Sequence, residues 1–148
     1  MWSTEYSTET GLAAPAIWAA LSDLHHGLAL DGNSDRFELH GPFVVGTELT
    51  VTPQGQGSFR STITELTENS VYADRTEFGG LILTFRHTLA RLAGGGTRVT
   101  HQLVMDGQDA DAMGPELGPQ ISADFPEAMD ALLAAARRKA SPDPAPRP

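Results

Sequence analysis

Two neighbouring stretches in the second half of the chain show a regular alternation of apolar and polar residues. In LILTFRHTL, residues 81–89, every second side chain from Leu81 is apolar except His87, and in VTHQLVM, residues 99–105, the same holds except for His101. Side chains alternate between the two faces of a β-strand, so this period of two predicts two strands. Each predicted strand carries one histidine on its apolar face.

Glycine-rich turns determine how these strands pair. The segment AGGG, residues 93–96, can close a three-residue loop that places His87 directly opposite His101 or one diagonal step away. Residues that are directly opposed in an antiparallel pair point to the same face of the sheet. The two histidines are therefore predicted to be neighbours in either register.

The same counting extends the sheet towards the N-terminus. A two-residue loop at 79–80 pairs Tyr72 with His87, and a second two-residue turn at 68–69 then carries Glu65 opposite Tyr72. The predicted polar row across four strands consists of Glu65, Tyr72, His87 and His101.

An inward carboxylate is predicted beside this row. Alternate residues along a strand share one face, so Asp74 lies on the same face as Tyr72, opposite Phe85. An ionised carboxyl group there is costly unless it is paired or its pKa is raised. An apolar face that is interrupted by a few polar groups is typical of a small-molecule pocket. The apolar residues predicted to surround the row are Phe59, Ile63, Phe78, Leu83, Phe85, Leu103 and Met105.

The first half of the chain predicts one strand, one short helix and three further strands. Residues 2–10 alternate between the two faces of a predicted strand. Pro15 suits the first turn of a helix that ends by His25-His26. Adjacent histidines point in different directions, so we interpret them as an exposed helix end rather than a ligand pair. Three further strands are predicted: one that begins at Arg36, one within residues 47–53 and one within residues 58–66.

The C-terminal part changes to a helical pattern. Residues 109–120 contain two Gly-Pro pairs and predict a loop with a turn or two of helix. An N-cap at Asp124 then begins a long helix whose apolar stripe includes Phe125 and Met129. We therefore predict a single domain over residues 1–139 and a disordered, proline-rich tail over 140–148.

The composition of the chain limits the kinds of binding partner that it can have. The chain has 148 residues, a formal net charge of -9, a sequence pI near 4.8 and no cysteine. Nucleic acid and anionic membranes are disfavoured because phosphate binding needs a basic surface, and no apolar run approaches the length that spans a bilayer. We expect a cytoplasmic monomer or homodimer whose partner is a small molecule or a protein.

The order of predicted elements, together with four sequence segments, resembles the START-like helix-grip superfamily, also called SRPBCC or Bet v 1-like. The segments are APAIWAALSDL at 13–23, GPFVVGTELTVTP at 41–53, LTFRHTLARLAGGGTRVTHQLVMDG at 83–107 and DFPEAMDALL at 124–133. The superfamily includes polyketide cyclases and dehydrases, plant pollen allergens and activators of the heat-shock ATPase. Many relatives carry a tryptophan-rich segment after the first helix, where this chain has LHHGLALDGNSD at 24–35.

This resemblance implies an α+β helix-grip fold. We expect a curved antiparallel sheet of about seven strands wrapped around the long C-terminal helix, with a short helix after the first strand. It also implies a cavity between sheet and helix that holds a hydrophobic or aromatic molecule. Phe125 and Met129 would line that cavity from the helix. Because fold does not determine activity, function must be argued from the site.

Three functional hypotheses remain open. The first is a small-molecule binding protein that acts as a cyclase or dehydratase without cofactor or metal. In that case His87 or His101 is the general base and Tyr72 donates a hydrogen bond to a developing oxyanion. The second is a protein-interaction module like the heat-shock ATPase activators, and the third is a non-catalytic carrier. A metal site of the two histidines with Glu65 is weakly supported, since strand-borne ligands lack close sequence spacing.

Overall fold

A computed structural model describes residues 1–28, 35–53 and 57–140 of the chain. Seven antiparallel strands form one sheet: β1 (Trp2–Thr10), β2 (Arg36–Leu39), β3 (Glu48–Thr52), β4 (Phe59–Thr67), β5 (Val71–Phe78), β6 (Leu81–Arg91) and β7 (Thr97–Asp106). The helices are α1 (Ala14–His25), α2 (Ala110–Ser122) and α3 (Phe125–Ala140). The predicted α+β class, the strand number and the short helix after the first strand are confirmed.

The strand order in the sheet is β1-β7-β6-β5-β4-β3-β2, so the chain passes from β1 at one edge to β2 at the other and then meanders back until β7 pairs with β1. The pairing of β5, β6 and β7 follows the predicted registers. Tyr72 lies opposite His87, and His87 lies directly opposite His101. On the far side of β7, Tyr6 of β1 is paired with His101 and continues the row onto β1.

The predicted position of Glu65 is wrong, and the reason is local. The turn between β4 and β5 has three residues rather than two, with Asn69 in the left-handed region at φ 64°, and this shifts the register by one. Leu66 therefore lies opposite Tyr72, while Glu65 lies opposite Ala73 on the outer face. A β-bulge between Ile63 and Glu65 then restores the predicted pairing for the rest of the strand.

The segment that we predicted to be mostly loop forms the helix α2. Gly114 and Gly118 are buried and face Trp2, and a Cβ added to Gly118 would clash with two ring atoms of the Trp2 indole. The two glycines thus permit a close approach that larger residues would prevent. Burial of the Trp2 ring against this helix face offsets the poor helix propensity of the glycines and of the two internal prolines, Pro115 and Pro119.

Helices α1 and α3 cover the concave face of the sheet, and the buried apolar residues fall into two separate clusters. The first cluster joins α1 and α3 to the β2 side of the sheet and includes Ile17, Leu49, Tyr72 and Met129. The second lies towards α2 and includes Leu83, Leu103, Met105 and Phe125. The buried polar residues include Ser61, Asp74, Thr76 and His101.

Some predictions fall outside the described residues. Ala140 still belongs to α3, whereas the rest of the predicted tail, 141–148, is not described, and neither are residues 29–34 of the segment after α1. Within the parts of the chain that the structure describes, no helix is both long and apolar enough to cross a membrane.

Candidate functional site

The centre of the site is the pair of imidazoles on β6 and β7. The ring centroids of His87 and His101 are 4.4 Å apart and the ring planes meet at 86°. His101 is buried, and half-buried His87 stands at the middle of the concave face. The predicted neighbourhood of the two histidines is therefore confirmed.

A third imidazole joins the pair from α1. His25 is only 1% exposed, so our interpretation of His25-His26 as an exposed helix end is wrong for His25, although it holds for His26. The ring centroid of His25 lies 4.0 Å from that of Tyr72 and 6.0 Å from that of His87. No strand periodicity could have indicated this, because the contact depends on how α1 lies across the sheet.

Each of the three imidazoles has a buried nitrogen atom without a hydrogen-bond partner among the described residues. These atoms are His25 Nε2, His87 Nδ1 and His101 Nε2. Most buried polar atoms in proteins have a partner in the protein or in ordered water, and an orphan costs about 1–3 kcal/mol. Three orphans on adjacent rings are therefore typical of a place where another molecule completes the hydrogen bonds.

The three histidines are held neutral. Burial lowers the pKa of His25 to about 3, helped by the nearby His87, and burial lowers the pKa of His101 to about 4, helped by His25. Burial, followed by the neighbouring His101, holds the pKa of His87 well below its usual range. At neutral pH each ring therefore carries one N–H donor and one lone pair.

The predicted inward carboxylate of Asp74 is confirmed, and it has hydroxyl partners. The Tyr72 hydroxyl donates to Asp74 Oδ2 over 2.8 Å, and Ser61 forms a second hydrogen bond with the same carboxyl group. The Thr76 hydroxyl in turn donates to Ser61 Oγ over 3.1 Å. Neither Ser61 nor Thr76 was assigned to the site from the sequence, although the alternation of side chains along β4 and β5 places both hydroxyls on the concave face.

Burial is the largest influence on the pKa of the Asp74 carboxyl group. It raises the pKa of Asp74 to about 6, although the hydrogen bonds from Tyr72 and Ser61 oppose the change. Burial and the adjacent carboxylate hold the pKa of Tyr72 well above its usual value, so its proton stays on the hydroxyl. Asp74 is thus a group that changes its charge close to physiological pH.

The other residues predicted for the site differ in how deeply their side chains are buried. Those that are buried on the concave side are Ile63, Leu83, Leu103, Met105, Phe125 and Met129. Phe59 and Phe85 are half-buried, and Phe85 packs beside the second cluster. Phe78 is 50% exposed at the end of β5, where its ring contacts Phe59 at 5.7 Å. Phe125 touches the site directly, because its ring lies 6.1 Å from that of His101.

Glu65 lies outside the site. Its carboxylate accepts a hydrogen bond from Arg86 Nε over 2.7 Å on the opposite face of the sheet. The weakly supported metal site of Glu65 with the two histidines is therefore excluded by geometry. Among residues 1–28, 35–53 and 57–140, no group of three or more histidine or acidic side chains is arranged to hold a metal ion.

Solved structures with the same fold occur at low sequence identity. Zhui aromatase/cyclase from a Streptomyces species has a TM-score of 0.69 at 16% identity, over 93% of this chain and 94% of that chain. Norcoclaurine synthase from Thalictrum flavum has a TM-score of 0.66 at 14% identity, over 88% and 83%. A hypothetical protein from Helicobacter pylori has a TM-score of 0.69 at 18% identity, over 90% and 86%.

These likenesses confirm the helix-grip fold that the sequence predicted, with its curved antiparallel sheet and long C-terminal helix. No family model matches the sequence, and no curated protein sequence matches it either. Identities this low establish the fold alone, so the activity of this chain has to be argued from its own residues.

Proposed function

We propose that this protein binds an apolar or aromatic small molecule between the concave face of the sheet and α3. The observation that carries the proposal is the group of three buried imidazole nitrogens that have no partner in the described part of the chain, close to a face whose apolar residues divide into two clusters. A pocket with mostly apolar walls and a few convergent polar atoms is the usual form of a small-molecule site. Norcoclaurine synthase, which shares the fold, has been solved in complex with dopamine and hydroxybenzaldehyde.

Partial exposure in the middle of the sheet supports the same location. Phe85 and His87 lie on β6, an interior strand of the sheet, and point to the covered face, yet both keep part of their surface accessible. Their neighbours on the same face of β7, His101 and Leu103, are buried. A ligand at this position would contact Phe85 along its apolar side and the imidazoles along its polar side.

The binding proposal is tested by mapping where an aromatic probe contacts the protein. Naphthol is titrated into the labelled protein, and backbone amide NMR shifts are followed. We expect the largest shifts at Phe85, His101 and Met129, on three elements that surround the site. Shifts confined to exposed Val44 and Val45, or no saturable shifts, would overturn the proposal.

We further propose that the bound molecule is a substrate of an aldol-type ring closure or a dehydration. A neutral imidazole of His87 or His101 takes a proton from a carbon next to a carbonyl group, the resulting enolate attacks a second carbonyl, and the imidazolium returns the proton to the new alkoxide. Asp74 is suited to return a proton to the departing hydroxyl, since its pKa of about 6 lies closest to neutrality. This chemistry uses only side chains of the site.

The proposed part of Tyr72 depends on Asp74. The Tyr72 hydroxyl already donates its hydrogen bond to the carboxylate of Asp74. It can donate to a substrate oxyanion only when Asp74 is protonated and the hydrogen bond between the two residues reverses.

Incubation with a linear polyketide thioester, followed by detection of an aromatic product, tests the catalytic proposal. Binding of the thioester without turnover would leave a carrier and would overturn the enzymatic half.

A further inference from the structure

One of the three imidazoles has a tautomer that the structure determines. His25 Nδ1 lies 2.8 Å from the carbonyl oxygen of Leu21, one turn earlier in α1. A carbonyl oxygen only accepts hydrogen bonds, so Nδ1 must carry the proton of the neutral ring. The lone pair is then on Nε2, which is the buried atom without a partner among the described residues. His25 Nε2 can therefore only accept a hydrogen bond.

The surroundings of His25 leave its ring little freedom to turn away. The ring centroid lies 4.6 Å from that of Phe37 and 4.0 Å from that of Tyr72, and the residue is 1% exposed. The ring thus packs between β2 and β5, while its Nδ1 stays tied to the α1 backbone. His87 is a further neighbour of the ring, with the ring centroids 6.0 Å apart.

We propose that His25 is a specificity-determining residue of the site, and that its Nε2 accepts a hydrogen bond from a hydroxyl group of the bound ligand. The inference rests on the proposed ligand-binding function and adds a requirement to it. A hydroxyl-bearing aromatic satisfies the buried lone pair. The methyl ether of the same molecule leaves it unpaired, and it places a methyl group against the nitrogen atom.

A matched pair of probes measures this requirement. Naphthol and methoxynaphthalene share the same ring system and differ in one donor, so their affinity ratio isolates the hydrogen bond. We expect naphthol to bind the wild-type protein about tenfold more tightly than the ether, as one buried hydrogen bond implies. The ratio should fall to about one in His25→Phe, whose ring occupies the same space but has no acceptor.

The neighbouring histidine supplies the control. His26 is exposed, and His26→Phe should keep the tenfold preference. A spectroscopic measurement on the wild-type protein is independent of whether the His25→Phe variant folds: the nitrogen-15 resonance of His25 Nε2 should shift on addition of naphthol and stay in place with the ether.

The possible results distinguish failure of the proposal for His25 from failure of the proposed binding function. Equal affinities of both probes for the wild-type protein, or an unchanged preference in folded His25→Phe, would show that water satisfies His25 Nε2 and would overturn this inference alone. Failure of both probes to bind the wild-type protein would overturn the proposed function together with it.

Discussion

The imidazole of His87 stands edge-on to that of His101 because the two residues are directly paired across β6 and β7. Protonation of one ring raises the cost of protonating the other, and burial penalises the charged form of both. The pair therefore supplies lone pairs at neutral pH rather than positive charge. This property underlies the predictions for catalysis and for acid stability.

Replacing either member of the pair should separate turnover from binding. We expect His87→Gln or His101→Gln to lower turnover of a polyketide-type substrate by about two to four orders of magnitude, because a glutamine amide cannot act as a base. Ligand affinity should change much less, since the amide still forms hydrogen bonds. Steady-state kinetics and a separate binding titration provide the two readouts.

His40 is the matched control for this experiment. It is exposed, and its Nε2 is hydrogen-bonded to Thr50 Oγ1 away from the site. His40→Gln should leave turnover unchanged. Full turnover in both site variants would show that neither imidazole is the base, and Asp74 would become the remaining candidate.

Acid should destabilise the protein before its surface carboxylates are protonated. The pKa of His101 is about 4 in the folded protein and 6.5 in the unfolded chain, so the unfolded chain binds more protons between these values. The stabilisation is complete above pH 6.5 and is lost as the pH falls towards 4. It amounts to about 3 kcal/mol for this residue alone. Urea unfolding between pH 4 and 7 measures the slope.

Proton NMR of the imidazoles checks the cause of this slope. His25, His87 and His101 should show no titration between pH 5 and 8, and exposed His26 and His40 provide resonances for comparison. Independent titration of His87 and His101 near pH 6.5 would mean that the rings are exposed or far apart, and the proposed site would be wrong.

Asp74 makes the opposite contribution to stability. Its pKa rises from 3.8 in the unfolded chain to about 6 in the folded protein, so the folded protein binds more protons in that range. The contribution of Asp74 therefore falls by about 3 kcal/mol as the pH rises from 4 to 6. Asp74→Asn keeps an acceptor for Tyr72 without this penalty and should be more stable than wild type at pH 7.

Two acidic residues outside the site provide controls for Asp74→Asn. Asp130→Asn, on the exposed side of α3, should leave the free energy of unfolding nearly unchanged. Glu65→Gln breaks a partly exposed ion pair with Arg86 and should cost about 0–1 kcal/mol, without effect on ligand affinity. A stability of Asp74→Asn below wild type at pH 7 would contradict the assigned protonation.

Much of the sheet was predictable because strand parity propagates through short turns. The Gly79-Gly80 loop determines the pairing of Tyr72 with His87, and the glycine loop after β6 determines that of His87 with His101. Glu65 was misplaced because the turn before β5 contains one residue more than predicted. A single added residue moves every side chain beyond it to the other face until a bulge corrects the register.

The helical contributions to the site were less predictable. His25 reaches the site through the packing of α1 on β2 and β5, which local sequence does not encode. For α2, the prediction relied on the low helix propensity of Gly-Pro pairs, whereas the tertiary contact with Trp2 determines the outcome. Both errors concern packing between elements rather than the pattern within one element.

The contact of α2 with Trp2 gives a final test of this account. A Cβ at position 118 would clash with ring atom Cζ3 of Trp2, so Gly118→Ala must displace the indole or the helix. The gain in helix propensity from alanine is about 1 kcal/mol. Overpacking of a close contact costs about 1–3 kcal/mol, so we expect net destabilisation by up to about 2 kcal/mol in urea unfolding. Gly94→Ala, where no atom of the described residues lies within 4 Å of the added Cβ, should be nearly neutral. If Gly118→Ala were instead more stable than wild type, helix propensity would outweigh the contact with Trp2. The two glycines would then not be what allows α2 to lie against β1.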